Sequence, residues 1–331
     1  VLGVVGALLT VCAFALLGTA SGSSGNWLLL WAVMALATLP VQATIWTSAV
    51  ATRFDASRGL AFAVTLCGAS VAAALFPYLG SRLIAAYGWR TAFSVEAGLW
   101  IVVAFPLIFL FFRGANDATR GEPALAPEPA VVLAGTTLGE GLRSSIYLRL
   151  WFASLLFTFT IIALVVHFVP ILAGTGRSPT EAAGIAALIG LCSIVGRLAT
   201  GLLLDRFRGS LVGGTVFLLP VAACLLLATI ASSPAGAIGA AALIGLTLGA
   251  EIDVIVFLTT KHFGLRSFGA LYGGLLAALS LGTAAGPLGA SWIFDLYGSY
   301  NPFLWSTMAL MVASSAALFS LPRPAFDHPR T

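Results

Sequence analysis

GRLATGLLLDRFRG, at residues 196–209, is an apolar run that contains one arginine and ends in a charged turn. Arg197 lies in the apolar part, where a helix in lipid can hold it only against a counter-charge or a watery cavity. The turn contains Asp205, Arg206 and Arg208, and an aspartate at such a place can cap the N-terminus of a neighbouring helix. Because ionisable groups inside membrane spans are functional candidates by default, Arg197 is the first candidate in this chain.

Composition indicates a membrane protein. Hydrophobic residues make up 60% of the chain and charged residues 8%, whereas soluble domains carry about 25% charged residues. Apolar runs of about 20 residues, the length that a helix needs to cross the hydrocarbon, recur along the sequence. The periodic polar pattern of barrel strands is missing, so helices are the expected spanning element. We predict about ten spans, near residues 1–20, 27–51, 59–86, 91–112, 149–173, 182–204, 211–232, 235–259, 268–293 and 303–321.

The basic residues predict the orientation. If residue 1 lies at the cytoplasmic face, Arg82, Arg90 and Arg177 fall outside and Arg197 lies in a span, so the other 12 of the 16 basic residues fall inside. Such an asymmetry follows the positive-inside rule and explains the net charge of +4 without a nucleic-acid partner. The four cysteines stand singly in apolar spans and predict neither a disulfide, nor a metal, nor a cofactor site.

A polar, proline-bearing segment between Arg113 and Arg149 separates two related halves. Residues of the first half recur 210 positions later in the second half: Pro77 as Pro287, Tyr87-Gly88 as Tyr297-Gly298, and Phe93 as Phe303. We therefore predict an N-terminal bundle of four visible helices at 1–112, a cytoplasmic linker at 113–148, a C-terminal six-helix bundle at 149–322 and a cytoplasmic tail at 323–331. The first-half counterpart of residues 196–209 would fall at or before residue 1, so we expect that two further helices precede residue 1. A natural ten-helix protein is the alternative.

Residues 196–209 resemble the signature loop of the major facilitator superfamily, and parallel repeats are typical of its two halves. Further motifs resemble the monocarboxylate transporter and oxalate/formate antiporter branch: Arg58-Gly59, Pro77, residues 88–93, residues 249–253, residues 263–269, Gly286-Pro287 and residues 295–300. The resemblance implies an all-α, polytopic membrane fold of two pseudo-symmetric helix bundles and a carrier rather than an enzyme. It also implies that Arg197, which matches the branch's eighth-helix arginine, serves substrate and proton coupling. The acidic partner that the branch has four residues earlier is Ser193 here.

Two acidic residues of the tenth predicted span are candidates for the missing partner. Glu251 lies ten residues before Lys261, so a helix places it about 15 Å from the cytoplasmic end. Asp253 is two residues further on, roughly 200° around the helix, so at most one of the two points straight into a cavity. Each must pair with a cation or hold a proton. Pairing with Arg197 is feasible, and a purely structural ion pair is the alternative interpretation.

Other polar residues are weaker candidates. His167 lies near the outer end of the predicted span 149–173. It is interpreted either as a proton relay or as a hydrogen-bonded interface residue. Gln42 lies in the predicted span 27–51, which is unusually polar and corresponds to the fourth helix of the family. We predict a cytoplasmic gate of Asp205, Arg206, Arg208, Lys261 and Arg266. Gly269, Gly273, Gly282 and Gly286 have the small-residue spacing of close helix contacts.

The predicted function is secondary active transport of a small organic anion. A guanidinium makes a charge-assisted fork with a carboxylate, so Arg197 favours a monocarboxylate or similar cargo, moved with a proton or by exchange. We expect a multi-pass monomer among membrane lipids, in a bacterial inner membrane. Export of drugs or other small solutes is the alternative, and a transporter-like sensor is a third possibility. A remote one is an intramembrane serine protease, with Ser24 of the stretch Gly22–Gly25 as nucleophile and His167 as base.

Overall fold

A computed structural model describes residues 2–54, 57–111, 134–324 and 326 of the chain, and nearly all of these are helical. The part of the predicted linker at 113–133 and most of the predicted tail lie outside the described residues. The chain divides into two compact units: residues 1–53 with 72–130, and residues 54–71 with 131–331. The predicted domain boundaries remain a prediction.

Twelve α-helices form the described part of the chain. They are α1 (Leu2–Leu17), α2 (Ser24–Thr38), α3 (Ala43–Arg53), α4 (Arg58–Tyr87), α5 (Trp89–Phe111), α6 (Leu138–Arg143), α7 (Ser145–Ala173), α8 (Pro179–Arg206), α9 (Gly209–Ile230), α10 (Pro234–Phe263), α11 (Phe268–Tyr297) and α12 (Asn301–Phe319). Among the described residues, eight helical stretches are long and apolar enough to cross a membrane, and shorter apolar helices lie at Val4–Leu17 and Gly59–Ala72.

The bounds of α4 and α11 follow the internal repeat of the sequence. Both α4 and α11 are 30 residues long, and α11 begins and ends 210 positions after α4. The glycine after each of them adopts a positive φ, 78° at Gly88 and 64° at Gly298, a conformation that ends a helix at little steric cost. The two halves are therefore built from equivalent elements.

The second predicted span, 27–51, is not one continuous helix. Its repeat counterpart is the unbroken α10, but the first half has a short 3₁₀ turn at Leu39–Val41 between α2 and α3. Pro40 lies in this turn, and proline both removes a backbone donor and clashes with the preceding helical turn. The position 210 residues later is Ala250, so α10 continues without a break.

In the first unit, α1 packs against α2 and α5. The Thr10 hydroxyl donates to the Ala37 carbonyl at 3.0 Å, and the rings of Phe14 and Phe93 meet edge to face with centroids 5.1 Å apart. Ser23 caps α2 by accepting from the Asn26 amide at 3.2 Å. The Gly22–Gly25 stretch is thus the capped start of a helix.

In the second unit, glycines set the closest helix contacts. The strongest pairs are α8 with α10, α7 with α11, and α9 with α10 and α12. A Cβ at Gly282 or Gly286 would overlap backbone or side-chain atoms of α7. By contrast, a Cβ at Gly269 or Gly273 would meet no described atom within 4 Å. Only the last two of the four predicted contact glycines on α11 therefore serve close packing.

The described end of the linker pairs with the loop that joins α10 to α11. Gly135 and Gly264 form an isolated antiparallel bridge, with the Thr136 amide donating to Phe263 and the Leu265 amide donating to Ala134, both at 2.9 Å. The following helix α6 starts in a capping box, in which Glu140 accepts from the Thr137 side chain and backbone. These hydrogen bonds hold the pKa of the Glu140 carboxyl below its usual range.

Candidate functional site

Arg197 forms a buried ion pair with one of the two candidate acids. Its Nη1 donates to Oδ1 of Asp253 at 3.1 Å, and the two side chains are 5% and 0% exposed. Arg197 lies on α8 and Asp253 on α10, so the pair links two helices. The contact is single-pronged, because the Arg197 Nε and the Asp253 Oδ2 are buried and have no hydrogen-bond partner among the described residues.

Three glycines bring the two helices close enough for this pair. A Cβ at Gly196 would overlap the backbone of Leu246, and one at Gly249 would overlap the carbonyl of Ser193. A Cβ at Gly245 would lie 2.5 Å from the Ile189 carbonyl oxygen. Gly249 is one helical turn before Asp253, so the same face of α10 carries both the close contact and the carboxylate.

Glu251 is buried beside the pair but makes no direct bond to Arg197. Its side chain is 4% exposed, and its Oε1 is a buried atom without a partner among the described residues. It interacts electrostatically with Arg197. Two carboxyl groups thus share the field of one guanidinium.

Tyr272 completes this cluster, and Cys67 interacts with it electrostatically. Tyr272 of α11 is fully buried, its hydroxyl has no partner within the described part of the chain, and it interacts electrostatically with Asp253, Glu251 and Arg197. Cys67 of α4 interacts electrostatically with Arg197 and Asp253. We call Arg197, Glu251, Asp253 and Tyr272 the buried polar cluster.

Sequence reasoning missed Tyr272. It stands in an apolar run of α11, where its neighbours suggest ordinary core packing. The available signal was its hydroxyl, because a buried phenol normally finds a partner. No feature of the run itself could show that the partner region contains three charged groups from other helices.

Asp205 caps the start of α4. Its two carboxylate oxygens accept from the Gly59 amide at 2.7 Å and the Leu60 amide at 2.9 Å. Glycine is required at position 59, because a Cβ there would lie 2.5 Å from the Gly201 carbonyl oxygen. The helix cap anticipated from the charged turn is therefore present.

The other predicted gate residues lie at helix ends and loops. Arg206 and Arg208 are exposed between α8 and α9. The Lys261 Nζ lies 5.7 Å from the Phe257 ring centroid, and its carbonyl accepts from the Phe326 amide at 3.1 Å. Arg266 is exposed and interacts electrostatically with Glu140. Their role as a gate stays a prediction.

His167 and Gln42 lie apart from the buried polar cluster in their hydrogen bonding. The His167 Nδ1 is 2.9 Å from the Tyr300 hydroxyl and its Nε2 is 3.1 Å from the Pro287 carbonyl oxygen, so the ring connects α7 with α11 and the start of α12. Gln42 is exposed and directly follows the 3₁₀ turn of the first unit. Among the described residues, neither side chain bonds to Arg197, and the roles expected for them stay predictions.

A comparison with family models matches residues 1–273 to the Major Facilitator Superfamily. The chain belongs to this superfamily. It is therefore an integral, multi-pass membrane protein of the all-helical major facilitator fold, as the apolar helices also indicate. The family consists of transporters, and the sequence-based expectation of fold and family is confirmed.

Individual relatives are similar at low identity. Monocarboxylate transporter 13 of Bos taurus is 28% identical over 283 residues, which is 81% of this chain and 61% of the relative. The 3-(3-hydroxy-phenyl)propionate transporter of Escherichia coli (strain K12) is 26% identical over 291 residues, 87% of this chain and 68% of the relative. The chain thus spans about three fifths of the bovine relative's length. A crystal structure of the E. coli fucose:proton symporter matches 96% of this chain and 82% of its own chain with a TM-score of 0.69 and 16% identity, which is a likeness of fold.

Proposed function

We propose that this major facilitator protein carries small organic anions, most simply monocarboxylates, by alternating access. The observation that supports the proposal is the buried, single-pronged pair between Arg197 and Asp253. The relatives described above are named for a monocarboxylate and for a propionate, both carboxylates. We also propose a bacterial inner membrane as the location and a monomer as the working form.

Arg197 is suited to bind the carboxylate of the cargo. A guanidinium presents five donors in a planar fork and binds carboxylates with two parallel hydrogen bonds. Only the Nη1 of Arg197 is used in the pair with Asp253, and Nε is unpaired. An incoming carboxylate can therefore occupy the fork in the place that the Asp253 oxygen now takes.

The carboxyl groups of the same cluster are suited to bind the coupled proton. Glu251 and Asp253 contribute two carboxyl groups against one guanidinium, and an uncompensated charge at such depth costs several kcal/mol. One proton shared by the two carboxyl groups makes the cluster neutral. Cargo binding, which adds a negative charge beside Arg197, then favours uptake of a further proton, and this is the coupling that symport or exchange requires.

The capped end of α4 belongs to the proposed cytoplasmic gate. We propose that Asp205, Arg206, Arg208, Lys261 and Arg266 gather at the face where the cargo is released, joined by the linker end that pairs with Gly264. The two halves at 1–112 and 149–322 are the proposed moving bodies, since parallel repeats of this superfamily alternate in access around a central site.

A counterflow assay tests the proposed cargo class. Proteoliposomes that contain the protein are loaded with unlabelled lactate, benzoate or 3-phenylpropionate, and the radiolabelled form of the same acid is added outside. We expect transient accumulation of label for at least one acid and none in empty liposomes. If no acid accumulates while a labelled sugar or a cationic dye does, the organic-anion proposal is wrong and the exporter alternative is favoured.

A further inference from the structure

The hydroxyl of Tyr272 is a buried donor with no acceptor among the described residues. Its side chain is fully buried, and the ring stacks on Phe268 with centroids 5.3 Å apart and an angle of 14° between the planes. The stacked ring has little room to turn, so the direction of the hydroxyl is fixed by packing. A buried hydroxyl that makes no bond loses free energy relative to water, which makes an unexplained one informative.

The surroundings of this hydroxyl are charged. Tyr272 interacts electrostatically with Asp253, Glu251 and Arg197, and Asp253 contributes the largest of the three interactions. Asp253 itself keeps one oxygen, Oδ2, buried and without a partner among the described residues. The buried polar cluster therefore contains both an unpaired phenol and an unpaired carboxylate oxygen, which are not bonded to each other.

We propose that Tyr272 is the alternative hydrogen-bond partner of Asp253. When the cargo carboxylate binds Arg197, the Tyr272 hydroxyl donates to the displaced carboxyl group of Asp253. This inference rests on the proposed function, because it needs a carboxylate that competes with Asp253 for the guanidinium. In the structure Asp253 is bonded to Arg197, and the Tyr272 hydroxyl has no partner among the described residues. In the cargo-bound state the Tyr272 hydroxyl donates to Asp253, so the displaced carboxyl group is not left without a partner.

The inference makes Tyr272 a positioning residue with a measurable role in affinity. A hydrogen bond between uncharged partners, here a phenol and a protonated carboxyl group, changes affinity by about threefold to tenfold. Tyr272→Phe removes the donor but keeps the ring, and it breaks no bond that the structure contains. We expect it to weaken benzoate binding by about threefold to tenfold, measured as the Kd of the detergent-purified protein.

A double-mutant cycle with Asp253→Leu, which removes both oxygen acceptors, separates this role from simple packing. If Tyr272 acts through the Asp253 carboxyl group, Tyr272→Phe in the Asp253→Leu background should change the Kd by about twofold or less, because the two substitutions remove the same hydrogen bond. An equal loss in both backgrounds, or a parental Kd for Tyr272→Phe, overturns the inference. Tyr147→Phe is the matched control, because its buried hydroxyl already donates to the Leu271 carbonyl at 3.2 Å in the same helix contact.

A spectroscopic measurement keeps the test independent of the Asp253 variant. Benzoate should shift the tyrosine C–O infrared band in the parent and in Tyr147→Phe, because the Tyr272 hydroxyl gains an acceptor, and the shift should be absent in Tyr272→Phe. A shift that persists in Tyr272→Phe contradicts the inference. Loss of benzoate binding in Arg197→Lys together with a parental Kd in Tyr272→Phe overturns the inference alone, whereas failure of the parent to bind any carboxylate overturns the proposed function as well.

Discussion

Arg197 is buried and yet uses one donor of its fork in the pair with Asp253. The sequence identified the arginine from its place in an apolar run, and it narrowed the partner to Glu251 or Asp253 by helix depth. It could not choose between them, because both side chains turned out to be buried although they lie roughly 200° apart on α10. The choice depends on the rotation of α10 against α8, which the glycine contacts between the two helices determine.

Replacing Arg197 by lysine tests the guanidinium itself. Arg197→Lys keeps the positive charge but presents a point ammonium, which cannot bind a carboxylate through two parallel hydrogen bonds. We expect at least a tenfold loss of counterflow in proteoliposomes, corresponding to about 1.4 kcal/mol or more. Arg149→Lys is the control, since Arg149 bonds to Ser320 near the ends of α7 and α12 and should keep parental rates. Near-parental transport by Arg197→Lys would assign Arg197 to charge balance or packing.

At the scale of elements, the contact between α8 and α10 positions the cluster. The sequence predicted both helices and their approximate bounds, because each is a long apolar run. It could not show that Gly249 meets the Ser193 carbonyl, nor that Gly269 and Gly273 contact no described residue closely, because equal spacing of small residues on a helix does not identify which neighbour lies opposite. The break at Pro40 was likewise missed, since the apolar run continues across it.

Gly249→Ala is expected to destabilise this contact. The added Cβ overlaps the Ser193 carbonyl, which is backbone and cannot turn aside, and overpacking of this kind costs about 1–3 kcal/mol. The variant should melt at a lower temperature in detergent and bind cargo more weakly. Gly269→Ala lies in a helix, and its added Cβ would meet no described atom within 4 Å, so this variant should be neutral or slightly stabilised. Equal melting temperatures for the two variants would contradict the account of the crossing.

The cap on α4 is a second prediction at this scale. Asp205→Asn removes the negative charge that lies at the helix N-terminus and one of the two acceptors for the Gly59 and Leu60 amides. We expect faster hydrogen–deuterium exchange in peptides that contain these two amides, measured by mass spectrometry. Asp295→Asn, at an exposed position near the end of α11, should leave that exchange unchanged. Unaltered exchange in the Asp205 variant would show that the cap contributes little to the start of α4.

At the scale of the whole molecule, the repeat is the strongest property that the sequence shows. The displacement of 210 residues, read from a few prolines, glycines and aromatic residues, reappears in the bounds of α4 and α11. The two halves nevertheless differ at the position that matters here, since Pro40 interrupts the first half where Ala250 lets α10 continue to Glu251 and Asp253. The buried polar cluster is therefore a property of the second half, and coupling is expected to depend on its carboxyl groups.

Proton-driven uptake of a labelled carboxylate, measured with Asp253→Asn and Glu251→Gln in proteoliposomes, tests the central claim most directly. An imposed pH gradient should drive accumulation in the parent. Because Asp253, and not Glu251, is bonded to Arg197 in the described part of the chain, we expect Asp253→Asn to lose this accumulation while labelled cargo still exchanges across the membrane, and Glu251→Gln to keep it. If both variants accumulate cargo as well as the parent does, neither carboxyl group couples the proton and the account of the buried polar cluster is wrong.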